Sequence, residues 1–70
     1  MMYPVDSSCV AEIGYEASSK IAFVRFKRNS SLYMYAGVSR KKFRSLKNAA
    51  SVGKYFCKYF RYVYSYERLE

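Results

Sequence analysis

The feature that most constrains the fold of this chain is its load of aromatic side chains, nine Tyr and five Phe within 70 residues. A chain of this length supports at most one domain and buries only about 60% of the surface that its unfolded form exposes. Because a buried ring removes more area from water than an aliphatic side chain does, the rings compensate for a small core. Hydrophobic residues make up 51% of the chain, which argues against intrinsic disorder. One folded domain over residues 1–70 is expected.

Charge is distributed unevenly along the chain. Thirteen Lys and Arg oppose five Asp and Glu, for a formal net charge of +8. Between Lys20 and Tyr66 there are twelve cations and no acid. Such a stretch repels itself when folded, and a surface that serves only solubility normally mixes both signs. The distribution therefore predicts an acidic partner, which is RNA or another nucleic acid, or an acidic protein.

Composition disfavours membranes, metals and cofactors. No apolar run approaches the ~20 residues needed to span a bilayer, and the first residues lack the basic start and apolar stretch of a signal peptide. We therefore expect a cytoplasmic protein in which Cys9 and Cys57 are reduced thiols. Without His, two thiols do not hold zinc, so neither a metal nor a cofactor is predicted.

The first half of the chain predicts three strands after an irregular lead-in at 1–8. The strand segments, rich in β-branched and aromatic residues, are 9–16, 21–26 and 31–36. Short turns at 17–20 and 27–30 join them, so we expect an antiparallel β-meander with the middle strand at its centre. In the second turn, Asn29 is the residue best able to adopt a left-handed conformation.

The turn lengths also predict which side chains share a face of the sheet. A four-residue turn at 27–30 pairs Phe26 with Ser31, and hence Val24 with Tyr33. The set that faces the helices is then Ala11, Ile13, Tyr15, Ala22, Val24, Phe26, Tyr33 and Tyr35. The set on the other face is Glu12, Ile21, Phe23, Arg25, Leu32 and Met34. A slip of one residue would exchange the two sets.

Two helices are predicted over 39–63, with Ser39 and Ser51 as their N-caps. The first, of about ten residues, has an apolar stripe of Phe43, Leu46 and Ala50. The stripe of the second is Val52, Tyr55, Phe56, Tyr59, Phe60 and Val63. An extended tail at 64–70 follows. The predicted fold class is α+β, a three-stranded antiparallel β-meander followed by two α-helices packed on one face.

Several short motifs, taken in order, resemble the KTSC domain over residues 5–69. They are Ile13-Gly14-Tyr15, Tyr33-Met34-Tyr35, Gly37-Val38, Ser51-Val52-Gly53-Lys54-Tyr55-Phe56 and Tyr64-Ser65-Tyr66-Glu67-Arg68-Leu69. That family occurs at the C-terminus of some lysyl-tRNA synthetases and as small stand-alone bacterial and phage proteins. It has no established activity, and the fusion to a synthetase implies RNA binding.

The chain departs from the family pattern at three places. Ser39 stands where relatives usually have Pro, and Cys57 stands where Asn usually follows Tyr-Phe. Asn29-Ser30 replaces a glycine turn. Any contact that the family's Asn makes is therefore absent from this chain.

The residue inventory argues against catalysis. There is no His to act as a base near neutral pH, and Asp6, Glu12 and Glu16 form no paired-carboxylate pattern. Cys57 would need an activating base to be a nucleophile, and a helical Cys flanked by aromatics is expected to be structural. We expect a non-catalytic protein.

The strongest functional signal is the basic cluster that opens the first predicted helix. Arg40, Lys41 and Lys42 occupy a first turn, where the helix macrodipole disfavours cations. A solvated helix surface would explain Lys47 but not that turn. The predicted nucleic-acid contacts are Arg28, Arg40, Lys41, Lys42, Arg44, Lys47, Lys54, Lys58 and Arg61.

Three further features leave alternatives open. Ser51-Val52-Gly53-Lys54 either receives a phosphate at a helix start or, the favoured interpretation, is an ordinary N-cap with Gly53 packed against the sheet. Tyr33 and Tyr35 are base-stacking candidates, but their predicted face places them in the core. An apolar surface for stacking, protein docking or a homodimer is formed by Ile21, Phe23, Leu32 and Met34. The second functional hypothesis is a protein-interaction module, such as a phage or host factor, that docks on an acidic protein through the cations and this apolar surface.

Overall fold

A five-stranded antiparallel sheet with two helices against one face forms the structure, a computed structural model that describes residues 2–70. The strands are β1 Met2–Pro4, β2 Val10–Glu16, β3 Ile21–Phe26, β4 Leu32–Ala36 and β5 Tyr66–Arg68, and they lie in this order in the sheet. The helices are α1 Arg40–Lys47 and α2 Val52–Tyr59. The α+β class is confirmed. Among residues 2–70, no helix is long and apolar enough to cross a membrane.

The register of the three central strands agrees with the one predicted from the turn lengths. Val24 pairs with Ile13 on one side and with Tyr33 on the other. At the second turn, the Phe26 N–H donates to the Ser31 carbonyl at 2.9 Å. Because side chains alternate across a strand, this register places the predicted residues on each face of β3 and β4.

A bulge in β2 shifts the predicted alternation at its start. The register changes between Val10 and Glu12, and no residue of β3 pairs with Ala11. Val10 is fully buried as a result and joins Ile13 in the core. Ala11, predicted to face the helices, is instead the bulged residue. A bulge leaves no mark in a short run of alternating residues, so the sequence alone does not reveal it.

The turn between β3 and β4 uses Asn29 differently from the prediction. Ser30, not Asn29, adopts the left-handed conformation, with φ +57°. The Asn29 Oδ1 accepts a hydrogen bond from the Ser31 N–H at 3.1 Å, the local bond by which Asn stabilises turns. The prediction for Asn29 was wrong because its side chain serves the turn through this bond rather than through a positive φ.

Two edge strands extend the predicted meander, so the prediction of three strands was wrong. β1 lies in the predicted irregular lead-in, where Tyr3 pairs with Ile13. β5 lies in the tail, where Tyr66 pairs with Tyr35. Each edge strand has only three residues, and although the tail was predicted to be extended, so short a segment does not reveal that it pairs with the sheet. Short edge strands cover β2 and β4 while offering little edge to other chains.

The core lies between the helices and the sheet face that the register predicts. Its members are Val10, Ile13, Ala22, Val24, Tyr35, Val38, Phe43, Leu46, Val52, Phe56 and Phe60. Both predicted caps form: the Ser39 hydroxyl accepts from the Lys42 N–H at 3.1 Å, and the Ser51 hydroxyl accepts from the Lys54 N–H at 3.3 Å. Each cap satisfies a backbone donor that has no partner inside its helix.

Both helices end earlier than their apolar stripes predict. α1 ends at Lys47, which leaves Ala50 outside it and exposed. α2 ends at Tyr59, where Phe60 is the C-cap and fully buried while Val63 is 64% exposed. The physical reason is that the chain must turn after Phe60 to bring β5 alongside β4.

The end of α2 can be tested with a pair of variants. Phe60→Ala is expected to lower the free energy of unfolding by ~3–5 kcal/mol, because it removes a fully buried ring. Val63→Ala is expected to change it by less than ~0.5 kcal/mol, because that side chain is mostly exposed. Urea denaturation followed by circular dichroism measures both. A large loss for Val63→Ala would contradict the observed end of the helix.

Candidate nucleic-acid interface

The sheet separates the charges of the molecule. Residues paired across antiparallel strands share a face, so Glu16 lies with Ile21, and Glu67 with Met34, on the face away from the helices. Four of the five acidic residues lie on this outer face or reach it: Glu12, Glu16, Glu67 and Glu70. Neither α1 nor α2 contains an acid. The uneven charge along the chain thus becomes an uneven charge across the sheet.

The nine predicted contact cations lie on the helices, on the segment after α2 and in the β3–β4 turn. Eight are exposed, and Lys42 is half-buried. In the part of the chain that the structure describes, the salt bridges involve Arg25 and none of these nine. Their charges are therefore not neutralised by neighbouring carboxylates.

Two tyrosines bring cations from both helices together. The rings of Tyr55 and Tyr59 lie 4.5 Å apart on α2. The ammonium nitrogens of Lys42 and Lys58 lie 5.0 Å and 5.3 Å from the centroid of Tyr59. These distances are within the ~6 Å over which a cation is attracted to a ring. We call the cations of α1 and α2, with these two rings, the helical basic surface.

The remaining predicted cations make other contacts or are exposed to solvent. Lys47 lies over the Tyr3 ring at 3.9 Å, which ties α1 to β1. Arg40, Lys41 and Arg44 are exposed on α1, and Lys54 is exposed near the start of α2. Arg28 and Arg61 belong to a second region, a groove beside α2.

This groove, with a volume of about 560 Å³, lies where β3, β4 and β5 meet α2. Its aromatic lining residues are Phe26, Tyr33, Tyr35, Phe56, Tyr62 and Tyr66. Arg28 and Arg61 line it as well, and we call it the aromatic groove. Both arginines were predicted as contacts. Their shared site was not, because Tyr66 enters it through the pairing of β5 with β4, which the predicted extended tail does not specify.

Tyr35 and Tyr33 provide the sheet side of the aromatic groove. Tyr35 is 4% exposed, and Tyr33 is half-buried beside Tyr66, with ring centroids 5.8 Å apart. Their predicted position on the helix-facing side is therefore confirmed. Burial raises the pKa of Tyr35 well above its ordinary value, and the neighbouring Tyr33 and Tyr66 add to the effect.

The start of α2 borders the segment that precedes β2, and an open groove lies between them, lined by residues that include Ser7, Cys9, Ser51, Gly53 and Lys54. A Cβ on Gly53 would lie 3.0 Å from both the Cys9 Sγ and the Ser7 Oγ, so this glycine allows the chain before β2 to approach the helix. The Ser51 cap agrees with the N-cap interpretation of Ser51-Val52-Gly53-Lys54, but Gly53 packs against the segment before β2 and not, as predicted, against the sheet.

The two cysteines are free and exposed. Cys9 and Cys57 both line the aromatic groove. Cys57 is therefore not the packed thiol expected from its aromatic neighbours. The described residues contain no cluster of three or more His, Cys, Asp or Glu side chains that could hold a metal.

The outer face of the sheet carries the predicted apolar residues around a fixed arginine. Ile21, Phe23, Leu32 and Met34 are each half-buried there. Arg25 donates to the Ser30 carbonyl at 2.7 Å and forms salt bridges with Glu12 at 3.5 Å and Glu70 at 3.1 Å. This surface lies on the opposite side of the sheet from the helical basic surface, so the two do not form one docking site.

Comparison with known proteins supports the fold. The family model for the KTSC domain matches residues 6–64. The chain belongs to the KTSC domain family. A crystal structure of a KTSC domain protein from Yersinia pestis matches it with a TM-score of 0.95 and 23% sequence identity, covering 100% of this chain and 97% of that chain. At this identity the likeness shows the fold alone. A search of curated proteins found no match.

The motifs that resemble the family supply buried core residues of this KTSC domain and few of its charged residues. Ile13, Tyr35, Val38 and Phe56 belong to those motifs and are buried. Of the nine contact cations, Lys54 alone lies within them. Family membership therefore establishes the fold, whereas the charged surface is formed mostly by residues outside the family motifs.

Ionisation of Tyr35 is expected to destabilise this KTSC domain at alkaline pH. Because the folded state raises the pKa of Tyr35, its contribution to stability is complete below the ~10 of an exposed tyrosine and is lost as the pH rises. Relative to Tyr35→Phe, the free energy of unfolding of the wild type should fall by up to ~1.4 kcal/mol per pH unit above pH ~10. Urea melts over this range measure it. A constant difference would contradict the burial of the Tyr35 hydroxyl.

Proposed function

We propose that this KTSC domain is a non-catalytic nucleic-acid-binding protein that contacts RNA through the helical basic surface. The observation that carries the proposal is the separation of charge across the sheet: the helices bear cations without acids, and four of the five acids lie toward the outer face. Cations that are not paired with carboxylates neutralise phosphates and release their counterions, which is the main source of affinity for nucleic acid.

Single-stranded RNA fits this surface better than a duplex does. Lys42 lies near both Tyr55 and Tyr59, and Lys58 lies near Tyr59. Aromatic rings beside cations stack on bases that are not already stacked in a helix. In A-form RNA the bases are paired and the major groove is too deep and narrow for side chains to read. Most of the proposed contacts would go to phosphates, which carry no sequence information, so we expect weak sequence preference.

The surroundings of Glu12 and Glu16 favour a binding protein over an enzyme, because neither carboxylate is placed as a general base. Glu12 is held in a salt bridge with Arg25. Ser18 donates two hydrogen bonds to the Glu16 carboxylate and lowers its pKa, which makes it a weaker base. These acids lie on the face opposite the helical basic surface, away from a bound phosphate backbone.

A protein partner is the second candidate function, favoured by the four apolar residues on the outer face. Ile21, Phe23, Leu32 and Met34 share that face with acids and with an already paired Arg25. A second copy of this chain or a partner that is not acidic would suit it, whereas an acidic protein would dock on the helical basic surface. Pull-down from lysate with and without nuclease distinguishes RNA from protein on that surface.

The first test of the proposed function is the salt dependence of binding. Five phosphate contacts with a single strand predict a slope of about −3.5 for log Kobs against log salt concentration. Fluorescence anisotropy with a labelled mixed-sequence RNA, between about 50 and 200 mM KCl, measures the slope. No binding to RNA or DNA oligonucleotides at the lowest salt would refute nucleic-acid binding and favour the protein partner.

The second test reverses two charges at the start of α1. Arg40→Glu/Lys41→Glu should weaken RNA binding at least about 25-fold near 0.1 M salt, because each lost contact accounts for roughly fivefold there. Lys42 stays in place because its ammonium contacts the Tyr59 ring. The melting temperature should be unchanged or raised, since acids in a first turn interact favourably with the macrodipole.

The matched control for this test keeps the charge. Arg40→Lys/Lys41→Arg should retain RNA affinity within a few fold, because phosphate neutralisation depends on charge more than on side-chain shape. Equal losses in the control and the charge-reversed protein, or a drop in melting temperature, would show that the two side chains act in folding.

A further inference from the structure

We propose that the aromatic groove is the site for one unstacked nucleotide of a single-stranded RNA. Its base would lie against the tyrosine rings and its phosphate beside Arg28 and Arg61. This inference rests on the proposed RNA binding and assigns it a second, more specific site. The sequence predicted Arg28 and Arg61 as contacts, but it did not place them beside tyrosines in one site.

The rim of the groove exposes rings that the fold does not need to expose. Tyr62 is 85% exposed and Tyr66 is 62% exposed, although both line the groove. Exposed aromatic surface at a concave site marks an interaction surface rather than a core. The Arg61 guanidinium lies 5.3 Å from the Tyr62 centroid, which places a cation next to the most exposed ring.

The floor of the groove is apolar and firmly packed. Phe56 contacts both Phe26 and Tyr35 in edge-to-face geometry, with centroids 5.4 Å apart in each case. Rings locked in this way offer a rigid surface for a planar ligand. The volume of about 560 Å³ lies within the ~300–1,000 Å³ of small-molecule sites.

The polar groups of the groove are few and suit a nucleotide. Arg28 and Arg61 are exposed, and a guanidinium binds phosphate oxygens in bidentate fashion. Ser31 is 3% exposed, and its hydroxyl has no hydrogen-bond partner among residues 2–70. A buried hydroxyl of this kind in the wall of a site offers a donor and an acceptor. Free phosphate would not need the rings, and an apolar ligand would not need the arginines.

A strand fits the groove better than a free nucleotide because a row of cations leads to it. Lys54 and Lys58 are four residues apart on α2, the spacing of neighbours along one helix face, and Arg61 follows in the turn just after the helix. Lys58 also lies over Tyr59 in the helical basic surface. A strand held there by its phosphates would reach the groove at Arg61.

The deciding variant is Tyr62→Ala, because that ring is exposed and its removal should leave the fold intact. Binding of a single-stranded RNA octamer should weaken about 5- to 150-fold, the range for loss of one base–aromatic stack, with an unchanged salt slope. Val63→Ala is the matched control, since its side chain is adjacent, 64% exposed and not part of the groove lining. It should bind like the wild type.

Two further measurements separate the base from the phosphate. Arg28→Gln/Arg61→Gln should reduce the salt slope by about 1.4, because two single-strand phosphate contacts are lost. An octamer of abasic ribose phosphates should bind the wild type and Tyr62→Ala with equal affinity, since no base remains to stack.

The outcomes distinguish this inference from the proposed function. If the wild type binds the octamer with the expected salt dependence while Tyr62→Ala binds equally well, the groove assignment is wrong and RNA binding stands. If the wild type binds no RNA, the proposed function fails. Adenosine and uridine monophosphate provide the last arm: NMR shifts at groove residues with these nucleotides, but none with the octamer, would overturn the assignment to a strand.

Discussion

The packing of α2 against β4 is the interaction on which the rest of the structure depends. Phe56 and Phe60 meet the Tyr35 ring at centroid distances of 5.4 Å and 6.3 Å. This contact buries the largest side chains of a small core and thereby offsets the repulsion among the cations. It also turns the opposite side of α2, with Lys54 and Lys58, toward solvent. Stability and the charged surface therefore arise from the same helix.

The sheet acts as a partition between two kinds of surface. Its helix side supplies the core and, beyond it, the cations and exposed tyrosines. Its outer side gathers four of the five acids and four half-buried apolar side chains around Arg25, which is already held by Glu12 and Glu70. A nucleic acid and a partner that docks on the four apolar residues would thus use different sides of this KTSC domain, and binding at one side would leave the other free.

The edge strand β5 links the fold to the proposed nucleotide site. β5 places Tyr66 beside Tyr33 and Tyr35, with ring centroids 5.8 Å and 6.0 Å away. The turn between α2 and β5 carries Arg61 and Tyr62 to the same place. The turn after α2 and a tail that was predicted only as an extended segment thereby provide much of the rim of the aromatic groove.

The sequence alone determined the fold class, the central register, both helix caps and the cation-rich helices, because these depend on local propensity, turn length and residue type. It also placed Tyr35 in the core and Phe23 on the outer face. Only the tertiary structure decided the bulge at Ala11, the edge strands and the early end of α2. Three-residue strands carry no readable period, and a helix ends where the chain must return to the sheet. The meeting of Arg28, Arg61 and Tyr66 in one groove follows from those long-range pairings, which no local pattern encodes.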